Sequence, residues 1–478
     1  MSRPRIAHRA EFSVRCACGM TYNTDEAHVG KQIKCRCGRT VTIARPPEEL
    51  GEPGSDVSGR NARASSRVEF RRTYRSRSSR FRHLFASIRR EFHKLNGRMV
   101  RWLLDALAAM NSRRLGRRWT ARVSWAWLAL MVITWLLLIT TSERFLPAML
   151  LAYGPRFVLL LPLTVLVPAA LIFVRSALLP LGIAALVTLG PIMGGRLSWR
   201  TVGRSTPPTV RSGNVRVLSF NVEGGMLVAM HFRELVNEVH PDLIALQECG
   251  DVLWDTLAAL PQFHRARLAS VCTASRWPIT SADSMPRADF ARIAQYGYGG
   301  TGLVSRFTVA TPRGELTFVN LHLETARKGL DALSGEDGFI PDQIGARVAR
   351  KAVAPPEDAR GGVLTRIDLN ARIRDRESER ASVWSSRGDR SIPLLIVGDF
   401  NLPVESTIFR QHWGGFTDAF EAAGTGFGWS KREGTLLRIR IDHVLGNDAA
   451  PTPVGVWLGR DLGSDHLPVV ADLRWRSP

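Results

Sequence analysis

Four short polar signatures in the C-terminal half each close an apolar, strand-like run, and a fifth opens one. They are Ser219-Phe220-Asn221-Val222, Leu246-Gln247-Glu248, Asn320-Leu321-His322-Leu323-Glu324, Gly398-Asp399-Phe400-Asn401 and Gly463-Ser464-Asp465-His466-Leu467. Together they supply carboxylates, amides and imidazoles, an inventory suited to metal-assisted hydrolysis of a phosphate ester. Water must attack a phosphorus that carries negative oxygens. The site must therefore neutralise charge, activate the water and stabilise the leaving oxygen. A hard divalent cation held by carboxylate and amide oxygens does much of this. Mg2+, which keeps several waters and takes one or two carboxylates, is the natural ion, with Mn2+ as the alternative. Singly, each signature has an ordinary reading: Asn221 as a turn residue, Glu248 as a solvated strand end, Asp399 to Asn401 as an Asx turn, Asp465-His466 as a surface pair. Their order and their common placement beside strands carry the argument.

The elements that must position them are legible as alternating or continuous apolar runs. Residues 215–220, 243–246, 316–323, 394–397, 441–445 and 469–473 read as strands. Helical stretches are expected at 231–239, 252–259 and 367–384. This is a mixed α/β domain over 214–478.

The order of these motifs resembles the endonuclease/exonuclease/phosphatase superfamily, whose members are deoxyribonuclease I-like. The resemblance implies a four-layer α/β sandwich, two antiparallel sheets face to face with helices outside and the active site at one edge. It also implies roles. Glu248 matches the principal metal-binding carboxylate and Asn221 the amide beside it, with Asp465 near the metal. Glu223 lies where some members place a second acidic ligand. Asp399 and Asn401 match the pair that orients water and the scissile phosphate. His466 matches a general base or phosphate-stabilising cation, oriented by Asp442. His322 matches a phosphate contact and an acid for the leaving group. Arg276, in Ser275-Arg276-Trp277-Pro278-Ile279, resembles a substrate-binding element of the family. His443 should be structural, since alternation sends it to the face opposite Asp442. Cys249 and Cys272 read as buried thiols. Segment 324–366 exceeds a minimal connection and reads as a substrate-facing insertion or a disordered loop. Tyr296 to Gly302 is glycine-rich but lacks a P-loop lysine. It reads as a hairpin turn, and no nucleotide cofactor is expected.

Charge is segregated along the chain. Residues 1–122 hold 28 Lys and Arg against 10 Asp and Glu, residues 123–213 hold 7 against 1, and the rest hold 30 against 32. The basicity therefore belongs to the N-terminal part, where its position beside apolar spans favours lipid as partner. Apolar spans at 123–140, 157–174 and 176–193 are each close to the ~20 residues that cross a bilayer. Residues 123–195 are thus a membrane region of two or three helices. The basic stretch before Val123 should stay in the cytoplasm. Three crossings, the reading taken here, put the catalytic domain outside the plasma membrane; two keep it inside. No signal peptide is expected at the N-terminus.

Ahead of the spans, residues 80–118 form a basic amphipathic pattern suited to an anionic membrane surface. Residues 46–79 read as a flexible linker. Residues 11–45 contain Cys16-Ala17-Cys18-Gly19 and Cys35-Arg36-Cys37-Gly38, a repeat that resembles a short zinc ribbon. Four thiolates match a closed tetrahedral Zn2+ site; two disulfides are the alternative, disfavoured in the cytoplasm. The function expected is a membrane-anchored phosphoesterase acting on a lipid headgroup, nucleic acid or inositol phosphate. Its rivals are a surface nuclease and a non-catalytic membrane adaptor.

Overall fold

The structure, a computed structural model, describes residues 11–15, 21–25, 32–34, 40–42, 113–197, 214–223, 226–294, 299–333, 362–434 and 436–476. Met1–Leu104 forms one compact unit and Asp105–Pro478 another. In the first, β1 (Glu11–Arg15) pairs antiparallel with β2 (Thr21–Asp25), and β3 (Gln32–Lys34) with β4 (Thr40–Thr42). In sequence, Cys16 and Cys18 fall between β1 and β2, and Cys35 and Cys37 between β3 and β4. All four lie outside the described residues, as do the linker 46–79 and residues 80–112.

The second unit carries two six-stranded sheets. Its strands are β5 (Asn214–Asn221), β6 (Leu243–Gln247), β7 (His264–Leu268), β8 (Val271–Ser275), β9 (Ile279–Ser284), β10 (Leu303–Thr311), β11 (Gly314–His322), β12 (Leu394–Asp399) and β13 (Thr417–Asp418), then β14 (Lys431–Glu433), β15 (Leu437–Ile439), β16 (Asp442–Gly446), β17 (Thr452–Leu458) and β18 (Val469–Arg474). One sheet has the order β17-β18-β5-β6-β8-β7, the other β13-β16-β12-β11-β10-β9, and β14 and β15 form a separate hairpin. The sheets are mixed, not purely antiparallel as expected. β5 runs parallel to β6 and β11 parallel to β12. Both pairs need a crossover, and helices Met226–Val239 and Val363–Ser385 lie in those connections.

Strand alternation builds the layers. Inward residues Val217, Ala245, Phe318, Val397, Val444 and Ala471 pack between the sheets. Outward residues Leu218, Phe220, Ile244 and Val470 receive helices Met226–Val239 and Asp251–Ala258. On the other sheet Val319, Leu321 and Ile396 pack with Ala381, Ile408 and Phe409 from helices Val363–Ser385 and Thr407–His412. The expected four layers are present.

One reading changes. Cys249 and Cys272 form a disulfide, with Cα atoms 5.9 Å apart, so they are not free thiols. Of the expected hairpin turn at Tyr296 to Gly302, residues 296–298 lie outside the described residues and 299–302 lead into β10, with helix Ala288–Ala294 in the same connection between β9 and β10. Residues 113–118 are helical and continuous with the stretch that follows to Thr141, while 80–112, the rest of the expected amphipathic helix, lie outside the described residues. Of the extra segment 324–366, residues 327–330 are helical, 331–333 form a 3-10 turn, and 334–361 lie outside the described residues.

Among the described residues, three helical stretches are long and apolar enough to cross a membrane: Arg114–Thr141, Arg156–Phe173 and Arg175–Ile192. They pack as an antiparallel set. A Cβ at Gly116 would lie 2.9 Å from Phe173, so the first begins where the second ends. Arg156, opening the second, donates to the carbonyl of Ile192, closing the third, at 2.7 Å. That second end of the set is bound to the catalytic domain. Arg374 Nη2 donates to Glu143 Oε2 at 2.5 Å and Nη1 to the Tyr153 hydroxyl at 2.7 Å. Tyr153 donates to Glu143 at 2.8 Å and Ser406 Oγ to the same carboxylate at 2.7 Å. Arg156 pairs with Glu405 at 2.9 Å. Met149 packs with Ala326, Val363 and Ile367.

Candidate active site

The inward face of each central strand is apolar along its length and turns polar at one end. On β5, Val215 and Val217 give way to Ser219 and Asn221; on β6, Leu243 and Ala245 to Gln247; on β11, Leu316 and Phe318 to Asn320 and His322; on β12, Leu395 and Val397 to Asp399. Register aligns these ends, with Asn221 opposite Gln247, His322 opposite Asp399 and Asp399 opposite Asp442. One edge of the sandwich thereby collects the polar groups around a cavity of about 450 Å3.

Asp399 is its hub. The Asn401 amide donates to Oδ1 at 2.8 Å, and Asn221 Nδ2 donates to Oδ2 at 3.0 Å. Around the same Oδ2 lie His466 Nε2 at 3.5 Å and His322 Nε2 at 3.7 Å. His466 Nδ1 meets Asp442 Oδ2 at 2.8 Å. Glu248 receives Asn221 Nδ2 at 3.1 Å and lies 3.8 Å from His322, both through Oε1. Ser464 Oγ ties the last motif to the first, donating to the Asn221 carbonyl at 2.8 Å and receiving the His466 amide at 3.1 Å. Glu223, Glu248 and Asn401 all have left-handed backbones, with φ of 51°, 54° and 52°. Such conformations cost of order 1–3 kcal/mol each and persist where surrounding structure enforces them.

Electrostatics follow from burial. Desolvation, and next the Asp442 carboxylate, raise the Asp399 carboxyl above its usual range. Burial opposes the His466 imidazolium, but Asp442 and Asp399 outweigh it and push His466 up to about 9. Burial also opposes ionisation of Asp442, and its contact with His466 nonetheless lowers it. At neutral pH the pair is therefore an imidazolium against a carboxylate, with His466 Nε2 3.5 Å from Asp399.

The expected residues Asn221, Glu223, Glu248, His322, Asp399, Asn401, Asp465 and His466 all line the cavity. Asp442 lies behind His466. Asp465 meets Lys431 and, at 3.7 Å, His466, while its amide donates to Glu223 at 3.2 Å; it contacts neither Glu248 nor Asn221. Arg276 is the exception and corrects the expectation of substrate binding. Its amide pairs with the Asp242 carbonyl at the start of β6, whereas Glu248 follows the end of that strand. The six steps from Asp242 to Glu248, at ~3.3 Å each, put Arg276 on the order of 20 Å away. There its guanidinium holds the Pro241 carbonyl at 3.0 Å. His443 is structural, as expected, between Asp418 at 2.8 Å and the Leu402 carbonyl at 2.9 Å.

Other contributors had no motif. Lys431, Arg327 and Lys328 bring positive charge to the cavity wall. Arg327 and Lys328 directly follow the His322 signature, a basic pair that could have signalled a phosphate; nothing in the sequence around Lys431 does so. Gln247 and Asn320 stood inside recognised motifs without a role. Gln247 Nε2 donates to Asn320 Oδ1 at 2.7 Å, joining the sheets behind Glu248 and His322.

The donor set fits a divalent cation. Asp399, Asp442 and His466 place possible ligand atoms within 4.8 Å of one another, a buried group that could hold one. Glu248 is half-exposed to the cavity, and among the described residues no hydrogen bond reaches its Oε2. Carboxylate and amide oxygens around an under-compensated negative charge suit a hard ion.

The comparisons agree with this architecture. Residues 218–466, more than half of the chain, match the Endonuclease/Exonuclease/phosphatase family. No curated protein sequence matches the chain. Solved structures similar to it include humanized D. rerio TDP2 with 14 mutations, at 13% identity and a TM-score of 0.39, covering 55% of this chain and 100% of that one. A family protein from Leptotrichia buccalis C-1013-b is 12% identical with a TM-score of 0.36 and the same coverages. SmcL is 14% identical with a TM-score of 0.35, again covering 55% and 100%. The chain belongs to the endonuclease/exonuclease/phosphatase family, and its C-terminal domain is a hydrolase acting on phosphate ester bonds.

Proposed function

We propose that the protein is a membrane-anchored, Mg2+-dependent (or Mn2+-dependent) phosphoesterase in which Asp399 and His466 act on opposite charges of the same displacement. The observation that carries this reading is the convergence of Asn221, His322 and His466 on Asp399 Oδ2. Asp399, whose carboxyl is raised by burial, accepts the proton of the attacking water while Asn401 helps to position that water. His466, already protonated beside Asp442, donates to a phosphoryl oxygen as charge builds there. His322 delivers a proton to the leaving oxygen opposite the water. Glu248 and Asn221, with Asp399 beside them, would hold the ion, which when bound supplies charge neutralisation at the phosphoryl oxygens. His466 Nδ1 is committed to Asp442, which favours this set over a ligand role for that pair. Lys431, steered by Asp465, adds a cation to the phosphate side.

The membrane placement rests on three observations. The Arg113–Thr141 helix opens with Arg113, Arg114, Arg117 and Arg118, a cytoplasmic signature. The catalytic domain binds the other end of the helical set, which corresponds to three crossings. The Cys249–Cys272 disulfide suits a compartment outside the cytoplasm. Residue 113 thus faces the cytoplasm and the catalytic domain lies outside the plasma membrane. The N-terminal hairpins, each with a Cys-x-Cys-Gly sequence between its strands, would share one Zn2+ among Cys16, Cys18, Cys35 and Cys37.

Four outcomes are expected. His466→Ala lowers kcat for bis-p-nitrophenyl phosphate at least ~100-fold with the full chain in detergent, and chelation abolishes the wild-type rate; equal turnover in wild type and variant overturns the assignment. In metal-free buffer the charged His466 stabilises the fold by about 3 kcal/mol. Because its folded pKa of about 9 exceeds the ordinary 6.5, that contribution is complete below pH 6.5 and lost on rising to pH 9. The stability difference between wild type and His466→Gln should shrink across that window, and a difference that grows contradicts the pairing. A membrane-impermeant maleimide should label Arg313→Cys, an exposed turn position, on intact cells; labelling only after lysis would place the domain inside. Elemental analysis should find one zinc per chain, lost in Cys35→Ser, and zinc-free wild type would refute the thiolate site.

A further inference from the structure

The wall of the catalytic cavity is not made by the catalytic domain alone. Tyr153, from the Leu146–Tyr153 helix between the first two membrane stretches, lines it together with the apolar side chains of Leu323, Leu330, Leu437 and Ile439. A second cavity, of about 220 Å3, adjoins it. Phe157 at the start of the second membrane stretch and Met193 at the end of the third form one side. Phe427, Trp429 and Leu436 of the catalytic domain form the other, and the Arg156–Glu405 ion pair, Arg438 and Arg440 complete the lining. Phe427 and Trp429 stack with centroids 4.4 Å apart, and Leu436 is 59% exposed. Ile439 of β15, itself buried, lines both cavities and so forms a wall common to the two.

This adjacency matters for the kind of substrate the site can take. A nucleic acid or a free sugar phosphate has no use for an apolar recess opening between the ends of membrane helices. An aliphatic chain does: burying it is worth roughly a tenfold gain in binding for every two methylenes at the usual transfer free energy. Aromatic side chains at a membrane–water boundary suit the level where chain and headgroup join. On the polar side, Arg327, Lys328 and Lys431 provide the charge that an anionic phosphate needs.

Resting on the phosphoesterase reading above, we propose that the substrate is an amphiphile drawn from the bilayer, a phosphate ester carrying an alkyl or acyl chain. Its phosphate sits in the catalytic cavity against Asp399 and His466, and its chain lies in the recess formed by Phe157, Met193, Trp429 and Leu436. The reaction is the same hydrolysis: water adds to phosphorus, the P–O bond to the leaving group breaks, and the departing oxygen takes a proton.

The test uses the full chain in nanodiscs with ethyl and dodecyl p-nitrophenyl phosphate, which share a leaving group and differ only in chain length. We expect kcat/KM to be at least tenfold higher for the dodecyl ester. That ratio should fall toward one in Leu436→Asp, a change at an exposed position, and in Trp429→Ala. Partitioning into the bilayer affects wild type and variants alike, so the fall isolates the recess. Turnover of both esters at equal kcat/KM overturns the amphiphile assignment and leaves the phosphoesterase standing. A ratio that persists undiminished in both variants overturns the recess. A single-stranded oligonucleotide cleaved faster than the dodecyl ester also overturns the proposal. Absence of turnover on every ester overturns the phosphoesterase reading itself.

Discussion

A carboxylate with 1% exposure, held between two sheets, sets the terms for the rest of the catalytic domain. Burying Asp399 as an anion would be prohibitive without compensating donors. The fold supplies them from strand ends: Asn401 from its own turn and Asn221 from β5 donate hydrogen bonds, and the His466 ring from the approach to β18 and the His322 ring from β11 lie 3.5 and 3.7 Å away. Bringing β11 and β12 close enough for this requires Gly398. A Cβ there would lie 1.9 Å from the Leu321 carbonyl, and its φ of 142° is open only to glycine. The glycine of the Gly-Asp-Phe-Asn signature is thus a packing requirement for the chemistry of the residue after it.

Polar strand ends would pull a sandwich apart if they were left unpartnered. Gln247 and Asn320 prevent this by bonding across the sheets, and Asn320 Nδ2 also reaches the Cys272 carbonyl at 2.9 Å and Thr273 Oγ1 at 3.1 Å. The Cys249–Cys272 bridge fastens the same corner one residue beyond Glu248. Glu248 can then hold its left-handed backbone, because the chain on both sides of it is fixed. Local strain at Glu223, Glu248 and Asn401 is carried by neighbours that are themselves hydrogen-bonded, as expected where a site is built in advance of its ligand.

Much of this was legible in the sequence because the signal was local. Apolar alternation located the central strands, and the polar residue that ends each alternation located Asn221, His322 and Asp399. Alternation also separated Asp442 from His443 correctly. What was not legible depended on pairing in space. Parallel pairing of β5 with β6 and of β11 with β12 is a matter of topology. The Cys249–Cys272 bridge depends on β8 lying beside β6. Arg276 sits in a suggestive sequence, yet the register of β8 against β6 carries it to the wrong end. Lys431 enters the cavity from a hairpin that no motif announces.

The same limit applies to Glu143, the only acidic residue between 123 and 213. An isolated glutamate at the end of an apolar helix reads in sequence as a boundary marker. In space it is 6% exposed and accepts hydrogen bonds from Arg374, Tyr153 and Ser406. Removing one member of such a buried pair leaves an uncompensated charge, which typically costs 3–5 kcal/mol. The apolar helical set and the catalytic domain are therefore joined by a fixed contact. Arg374 belongs to the helix that covers one sheet, and its Tyr153 partner lines the catalytic cavity. A contact that anchors the domain also shapes the space where the phosphate is handled. The apolar helical set thus contributes Tyr153 to the wall of the candidate cavity as well as preceding the domain in sequence.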